Sequence, residues 1–375
     1  MSRPQRIALI ALAALAGLVV ALILAAIVVI QTPWFGNAVR SRVVSALEQS
    51  TGGNAAVGSV SLSPSNSNLV LTNVVLSGRQ PGAPPFLRAK SVVLHLDRSA
   101  MLHGNVNIRS AVINDPHVYL EVTPAGTTNV PHQPGPARPG PDPIESLMNA
   151  AMDRVAVNNG LVDVQDSRNH LNVRGRNLQA NLVYNAGVPQ YTGNISMDPI
   201  YVQSGNRRPV AWQLSLPLRI WDDSVAVSNG KLVSAQSDLD ISGQVAHAAA
   251  PSGSFRLSGV IDLSEIAKAF GAKIPAGLLN LPPVKVDALA RLRNNQVEVT
   301  SAKLTLGKST LDITGALRLS AFSGSVRFDG AFDLAQLGRI LRFPGRPQGA
   351  LRVAGTAVLA GARNYRITAR AGAAG

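Results

Sequence analysis

The chain has 375 residues, a net charge of +14, 46% hydrophobic and 4% aromatic residues, and no cysteine. Disulfides, thiolate metal sites, cysteine nucleophiles and a lipidated cysteine are therefore excluded. The basic balance admits nucleic acid or an anionic membrane surface as a partner, and the placement of the arginines along the chain decides between them.

From Ile7 to Ile30 run 24 residues drawn only from Leu, Ile, Val, Ala and Gly. At 1.5 Å per residue such a helix is roughly 36 Å long, enough to cross a ~30 Å hydrocarbon core. A cleaved secretory signal has a shorter apolar run and a small-residue cleavage site, so residues 1–32 read as an uncleaved signal anchor. Arg3 and Arg6 favour a cytoplasmic N-terminus, although Arg40 and Arg42 follow the span closely, and Trp34 suits the membrane interface. The bulk of the chain is then expected on the far side of the membrane.

Residues 33–123 open with an amphipathic helix over Phe35–Ser50, carrying Val39, Val43, Val44 and Leu47, and closed by Thr51-Gly52-Gly53. From Ala56 the apolar period becomes two, the signature of strands with one apolar face, with a bulge expected near Asn73. Residues 124–143 are rich in Pro and Gly and read as a loop or linker. In the middle unit, 144–250, one or two helical turns over Ile144–Met152 precede more strands. Trp212–Leu216 is the clearest of these, with Pro217 predicting a bend or a sheet edge.

Residues 251–375 repeat. Gly253–Leu263 aligns with Gly324–Leu334 at an offset of 71, and each copy runs into a short apolar helix, a proline and further strands. A unit of about 70 residues predicts stacking along an axis. The second copy stops early, so Ala369–Gly375 is expected to be a truncated or frayed end beside an unpaired edge.

The apolar positions of these strands form the predicted lining of one face: Val60, Leu62, Leu69, Leu71, Leu94, Leu96, Leu120, Val164, Leu182, Trp212, Leu214, Leu216, Phe255, Leu257, Leu292, Val299, Leu304, Leu306, Ile313, Val326 and Phe328. Arg256, Arg291, Arg293, Arg318 and Arg327 alternate with them and point away. A solvated outer face with few aromatics offers no stacking platform, so nucleic acid is not expected.

No catalytic, metal or cofactor signature is found. Gly307-Lys308-Ser309-Thr310 lacks the first glycine of a phosphate loop, which is Ala302, and leads into a strand instead of a helix. The six histidines are scattered. Asp222-Asp223 and Asp238/Asp240 lack the glycine turn and distal glutamate of a calcium loop. Non-enzymatic function, without cofactor or metal, is the expectation.

The order anchor, amphipathic helix, Thr51-Gly52-Gly53, Val57-Gly58-Ser59-Val60-Ser61-Leu62 resembles the N-terminus of the AsmA/TamB proteins of Gram-negative envelopes. Ala111–Leu120 with Gly126 and Asn129, and Arg154–Asp166, are similar to a recurring strand-turn segment of that family. The resemblance implies a mainly β fold, in which a transmembrane helix precedes an elongated, taco-like antiparallel β groove built of repeats with a few short helices. It implies an inner-membrane protein, single-pass, with its bulk in the periplasm, that conducts phospholipids between inner and outer membrane. The alternative it implies is a TamB-like scaffold for outer-membrane protein assembly or secretion, partnered by an outer-membrane barrel protein or other envelope component. Some twenty strands at ~4.8 Å would reach about 100 Å.

Overall fold

The computed structural model describes residues 33–374, apart from 64–65, 81, 104–106, 132–142, 169, 248–250, 271–280, 319–322, 342–344, 346 and 361–363. The expected membrane span, 1–32, lies outside the described residues, among which no helix is long and apolar enough to cross a membrane.

The chain begins with helix α1 (Pro33–Thr51). Its C-terminus closes as the sequence predicts: Thr51 Oγ1 donates to the Leu47 carbonyl at 2.6 Å, and the Gly52 amide donates to the Glu48 carbonyl at 2.8 Å. Gly52, at φ 70°, takes the left-handed conformation that ends many helices.

The rest is one 18-stranded sheet. Its strands are β1 (Asn54–Ala56), β2 (Ser59–Ser63), β3 (Asn68–Ser77), β4 (Leu87–Leu96), β5 (Ile108–Val122), β6 (Arg154–Asp166), β7 (Leu171–Asn185), β8 (Gln190–Ser204) and β9 (Val210–Trp221). They continue as β10 (Ser224–Val233), β11 (Asp238–Ala246), β12 (Ser252–Ile261), β13 (Val284–Arg293), β14 (Gln296–Leu306), β15 (Ser309–Arg318), β16 (Ser323–Asp333), β17 (Ala350–Ala360) and β18 (Tyr365–Ala374). Short helices interrupt them: α2 (Arg98–Leu102), α3 (Pro143–Ala150), α4 (Leu263–Phe270) and α5 (Leu334–Leu341).

From β3 onward each strand pairs with the next in sequence. Strands β1 and β2 both pair with β3, on its two halves, and so act as one strand broken at Val57-Gly58. Counting them as one rung, the stack is about 80 Å long at ~4.8 Å per strand. That is shorter than the sequence-based figure, because long strands replace several short ones: β5 is one 15-residue strand where separate runs were expected.

One pairing departs from the expected antiparallel pattern. Strand β6 runs parallel to β5, in register from Ser110↔Arg154 to Val122↔Asp166. The Pro/Gly-rich segment is the crossover that makes this possible, since parallel neighbours cannot be joined by a tight turn. Its first part is no free linker. Asn129 is 4% exposed, accepts from the Glu121 amide at 2.8 Å, and donates to the carbonyls of Tyr119 and Pro84 at 2.8 and 3.2 Å.

Backbone irregularities cross the sheet in a line. Asn73, Asp115, Asn159, Asn177 and Asn229 have φ between 50 and 56° or, for Asp115, 49°. The ladders skip or shift register beside them. Pro116 and Pro199 fall on the first part of this line, whereas Pro217 pairs with Asn194, on the neighbouring strand but away from Pro199, so the line steps sideways between β8 and β9. Pro217 lies in a central strand, paired to β8 and β10, so of the expected bend or edge the edge does not occur; the bulge over Ser228-Asn229 lies opposite it. The line continues at the register shifts of β14 with its neighbours. Bulges bend a strand and increase its local twist, so a register-aligned series creases the sheet along its long axis.

The internal repeat is real and begins earlier than the sequence alignment indicates. Asp262 caps α4 by accepting from the Glu265 amide at 3.0 Å, and Asp333 caps α5 by accepting from the Gln336 amide at 2.7 Å. The N3 side chain in each case accepts from a hairpin serine, Ser237 at 2.7 Å and Ser309 at 3.2 Å, and that hydroxyl accepts from the capping residue's own amide. The unit is thus β10–β13 with α4, then β14–β17 with α5, and β18 occupies the position of β14. Residues 369–374, expected to fray, are strand.

Gly259, at φ 141°, sits inside β12 with neighbours on both sides. A Cβ there would lie 2.1 Å from the Asp238 carbonyl oxygen. Gly259→Ala is expected to cost about 2 kcal/mol or more, through strain plus displacement of β11. Chemical denaturation should show the loss, whereas Gly372→Ala, with open space around it, should be nearly neutral.

Candidate functional site

Because paired residues share a face, the register defines transverse rows of side chains. One row crosses every rung: Leu62, Leu69, Leu94, Ala111, Val155, Leu182, Gly193, Leu218, Val227, Gly243, Phe255, Ala290, Val299, Gly315, Val326, Ala357, Ile367. No polar side chain interrupts it. A second row, on the same face, runs Val60, Leu71, Val92, Ile113, Val157, Ala180, Ile195, Leu216. It resumes across the bulge as Gly230, Ile241, Leu257, Ala288, Ala302, Ile313, Phe328, Gly355, Ala369. A third contains Leu214, Leu232, Leu239, Gly259, Val286, Leu304 and Leu311.

Every predicted lining residue falls on this face. Leu96, Leu120, Val164, Trp212, Leu292 and Leu306 join it by strand alternation with their neighbours. Leu71, Leu96, Leu182 and Trp212 are 5–9% exposed, and the others are half-buried.

The face is covered unevenly. Val43, Val44 and Leu47 of α1 pack on Val57, Leu71, Val74 and Ala89. Ile144, Leu147 and Met148 of α3 pack on Leu182, Tyr191 and Ile220. The Tyr191 hydroxyl latches α3 to the sheet, accepting from the Met152 amide at 2.7 Å and donating to the Leu147 carbonyl at 3.3 Å. Burial pushes its phenol pKa up. Helix α4 lies against β8 and β9, back across the sheet from β12. Beyond Val286, by contrast, no hydrophobic side chain among the described residues is buried. Among the described residues, the apolar face over β14–β18 has no second layer.

The sequence missed α3 as a covering element. Its Ile144, Leu147 and Met148 spacing was the available signal, and what it covers depends on the parallel crossover.

The opposite face is polar. Arg256 Nη2 meets Asp287 Oδ2 at 2.9 Å, and Lys231 Nζ meets Asp240 and Asp238 at 2.7 and 3.4 Å. The hydrogen bond that Lys231 donates to Asp240, reinforced by the charges of both carboxylates, raises the Lys231 pKa. The predicted outward arginines lie here. Gly307-Lys308 forms the β14–β15 hairpin turn, with Gly307 at φ 56°.

Among the described residues no three His, Cys, Asp or Glu side chains gather to hold a metal. The three rows of the apolar face hold neither nucleophile nor acid–base pair among the described residues. It can bind and solvate hydrocarbon. Comparison with protein-family models, curated proteins and solved structures finds no match to the chain.

Proposed function

We propose that the protein is an envelope lipid conduit of the AsmA/TamB type. It would be held in the inner membrane by residues 1–32, with its creased sheet in the periplasm as a trough carrying phospholipid acyl chains toward the outer membrane. The observation that carries this reading is the unbroken apolar row, over which no covering layer lies at β14–β18 among the described residues. A sealed sandwich would bury that row against a second sheet. An exposed apolar strip of this extent is unfavourable in water unless something apolar occupies it. No cofactor or catalytic step enters.

The test is lipid transfer. The full chain, reconstituted in donor vesicles containing a fluorescent phospholipid, is expected to speed its appearance in acceptor vesicles about 100-fold over protein-free donors. A rate equal to that of protein-free vesicles contradicts the conduit.

A second reading is supported by β18, whose Tyr365 and Ile367 are 71% and 58% exposed and which has β17 as its only strand neighbour among the described residues. An open edge can accept a strand from another protein, as a scaffold for outer-membrane protein assembly would. Crosslinking at Tyr365 separates the readings: capture of a barrel protein supports the scaffold, and capture of lipid supports the conduit.

A further inference from the structure

A recess of about 320 Å³ lies on the polar face of β6–β9, behind the trough, where Asp163, Gln165, Asn172, Arg174, Arg176, Tyr201 and Gln203 converge, with Val164, Val173 and Pro209 also in its lining. Its carboxylate and one of its amide oxygens are already used. Asp163, 8% exposed, receives His117 Nε2 at 2.9 Å on one oxygen and Arg174 Nε at 2.5 Å on the other. Gln165 Oε1 accepts the Tyr119 hydroxyl at 2.9 Å.

Donors remain. They are the terminal nitrogens of Arg174, the Gln165 amide nitrogen and the whole Arg176 guanidinium, whose side chain has no hydrogen-bond partner among the described residues. The side chains of Asn172, Tyr201 and Gln203 are likewise without a partner there. A guanidinium beside amides and a phenol suits an oxyanion carried on a hydroxylated frame: the guanidinium takes the charge, and the amides and phenol take hydroxyls. A lipid with its chains in the trough would hold them against the opposite face of the sheet, which favours a water-soluble ligand over a lipid headgroup.

We propose that this recess binds an acidic saccharide through its carboxylate. The full chain in detergent micelles is titrated calorimetrically with tri-galacturonic acid, neutral maltotriose and inorganic phosphate. Saturable binding of the acidic trisaccharide alone is expected, weakened at least tenfold by Arg176→Ala and several-fold by Gln203→Ala. Neither side chain makes a hydrogen bond among the described residues, so both variants are expected to fold, and each should keep the lipid-transfer rate of the parent. No binding, equal binding of maltotriose or phosphate, or binding untouched by Arg176→Ala overturns the assignment. Intact transfer alongside that failure leaves the conduit standing.

Discussion

Aspartate at both Val326 and Phe328 is expected to reduce lipid transfer by the full chain about 100-fold, to the rate of protein-free vesicles. The two residues occupy adjacent transverse rows, where Val326 lies between Gly315 and Ala357, and Phe328 between Ile313 and Gly355. Both are half-buried in the stretch that no helix covers. An acyl chain crossing two carboxylates either desolvates them, at several kcal/mol each, or leaves the surface, losing about 0.8 kcal/mol per methylene. Either route exceeds the roughly 3 kcal/mol that corresponds to a hundredfold change. Because water already reaches both positions, the sheet tolerates the charges. Arg327, between them and on the opposite face, supplies the control: Arg327→Asp should transfer at the parental rate. Equal loss in both variants would point to damaged folding instead of a blocked trough.

Tyr191→Ala is expected to destabilise the middle of the sheet by about 3–5 kcal/mol, the scale for deleting a buried aromatic. Tyr191 is completely buried among Leu182, Ile220 and α3, with the Tyr184 ring 5.0 Å away. Tyr191→Phe keeps the packing and removes the hydroxyl, leaving the Met152 amide unpaired, for about 1–3 kcal/mol. The two variants should differ in reach. Tyr191→Ala lowers the denaturation midpoint, whereas Tyr191→Phe chiefly speeds amide exchange in α3 and at Met152, leaving β14–β16 protected as before. Uniform loss of protection in the phenylalanine variant would mean that the hydroxyl does not act as a latch on α3.

The one-faced character of the strands was legible because an alternating pattern such as Leu304-Thr305-Leu306 or Val326-Arg327-Phe328 has a single reading once a strand forms. All the predicted lining positions share a face for that reason. The crease was hidden by the same local signals that mark turns. Asp115-Pro116, Asn158-Asn159-Gly160 and Asp198-Pro199 each read as chain reversals when taken alone. Within the sheet they become bulges, since the flanking segments find partners on both sides and the ladder carries the strand through. Only register places these bulges side by side, and register is non-local.

The parallel β5–β6 pair was hidden for a related reason. Val112, Ile113 and Asn114 match Ala156, Val157 and Asn158 as a repeated segment, but nothing in a repeat states whether its copies stack parallel or antiparallel. Side chains bridge the two parallel strands: Asn158 Nδ2 donates to Asn114 Oδ1 at 2.9 Å between paired positions, and the Tyr119 hydroxyl donates to Gln165 Oε1 at 2.9 Å, one tier beyond its own pairing with Asp163. The earlier start of the C-terminal repeat escaped because Ser237 and Ser309 matter through capping bonds to Glu265 and Gln336, which sequence alignment of strands does not weigh.

A photoreactive amino acid placed at Phe328, and separately at Arg327, in the full chain within cells grown on radiolabelled phosphate tests the trough most directly. A lipid conduit requires a labelled phospholipid adduct at position 328 and little or none at 327, although the two are adjacent in sequence. Equal labelling, or none at either position, would contradict it.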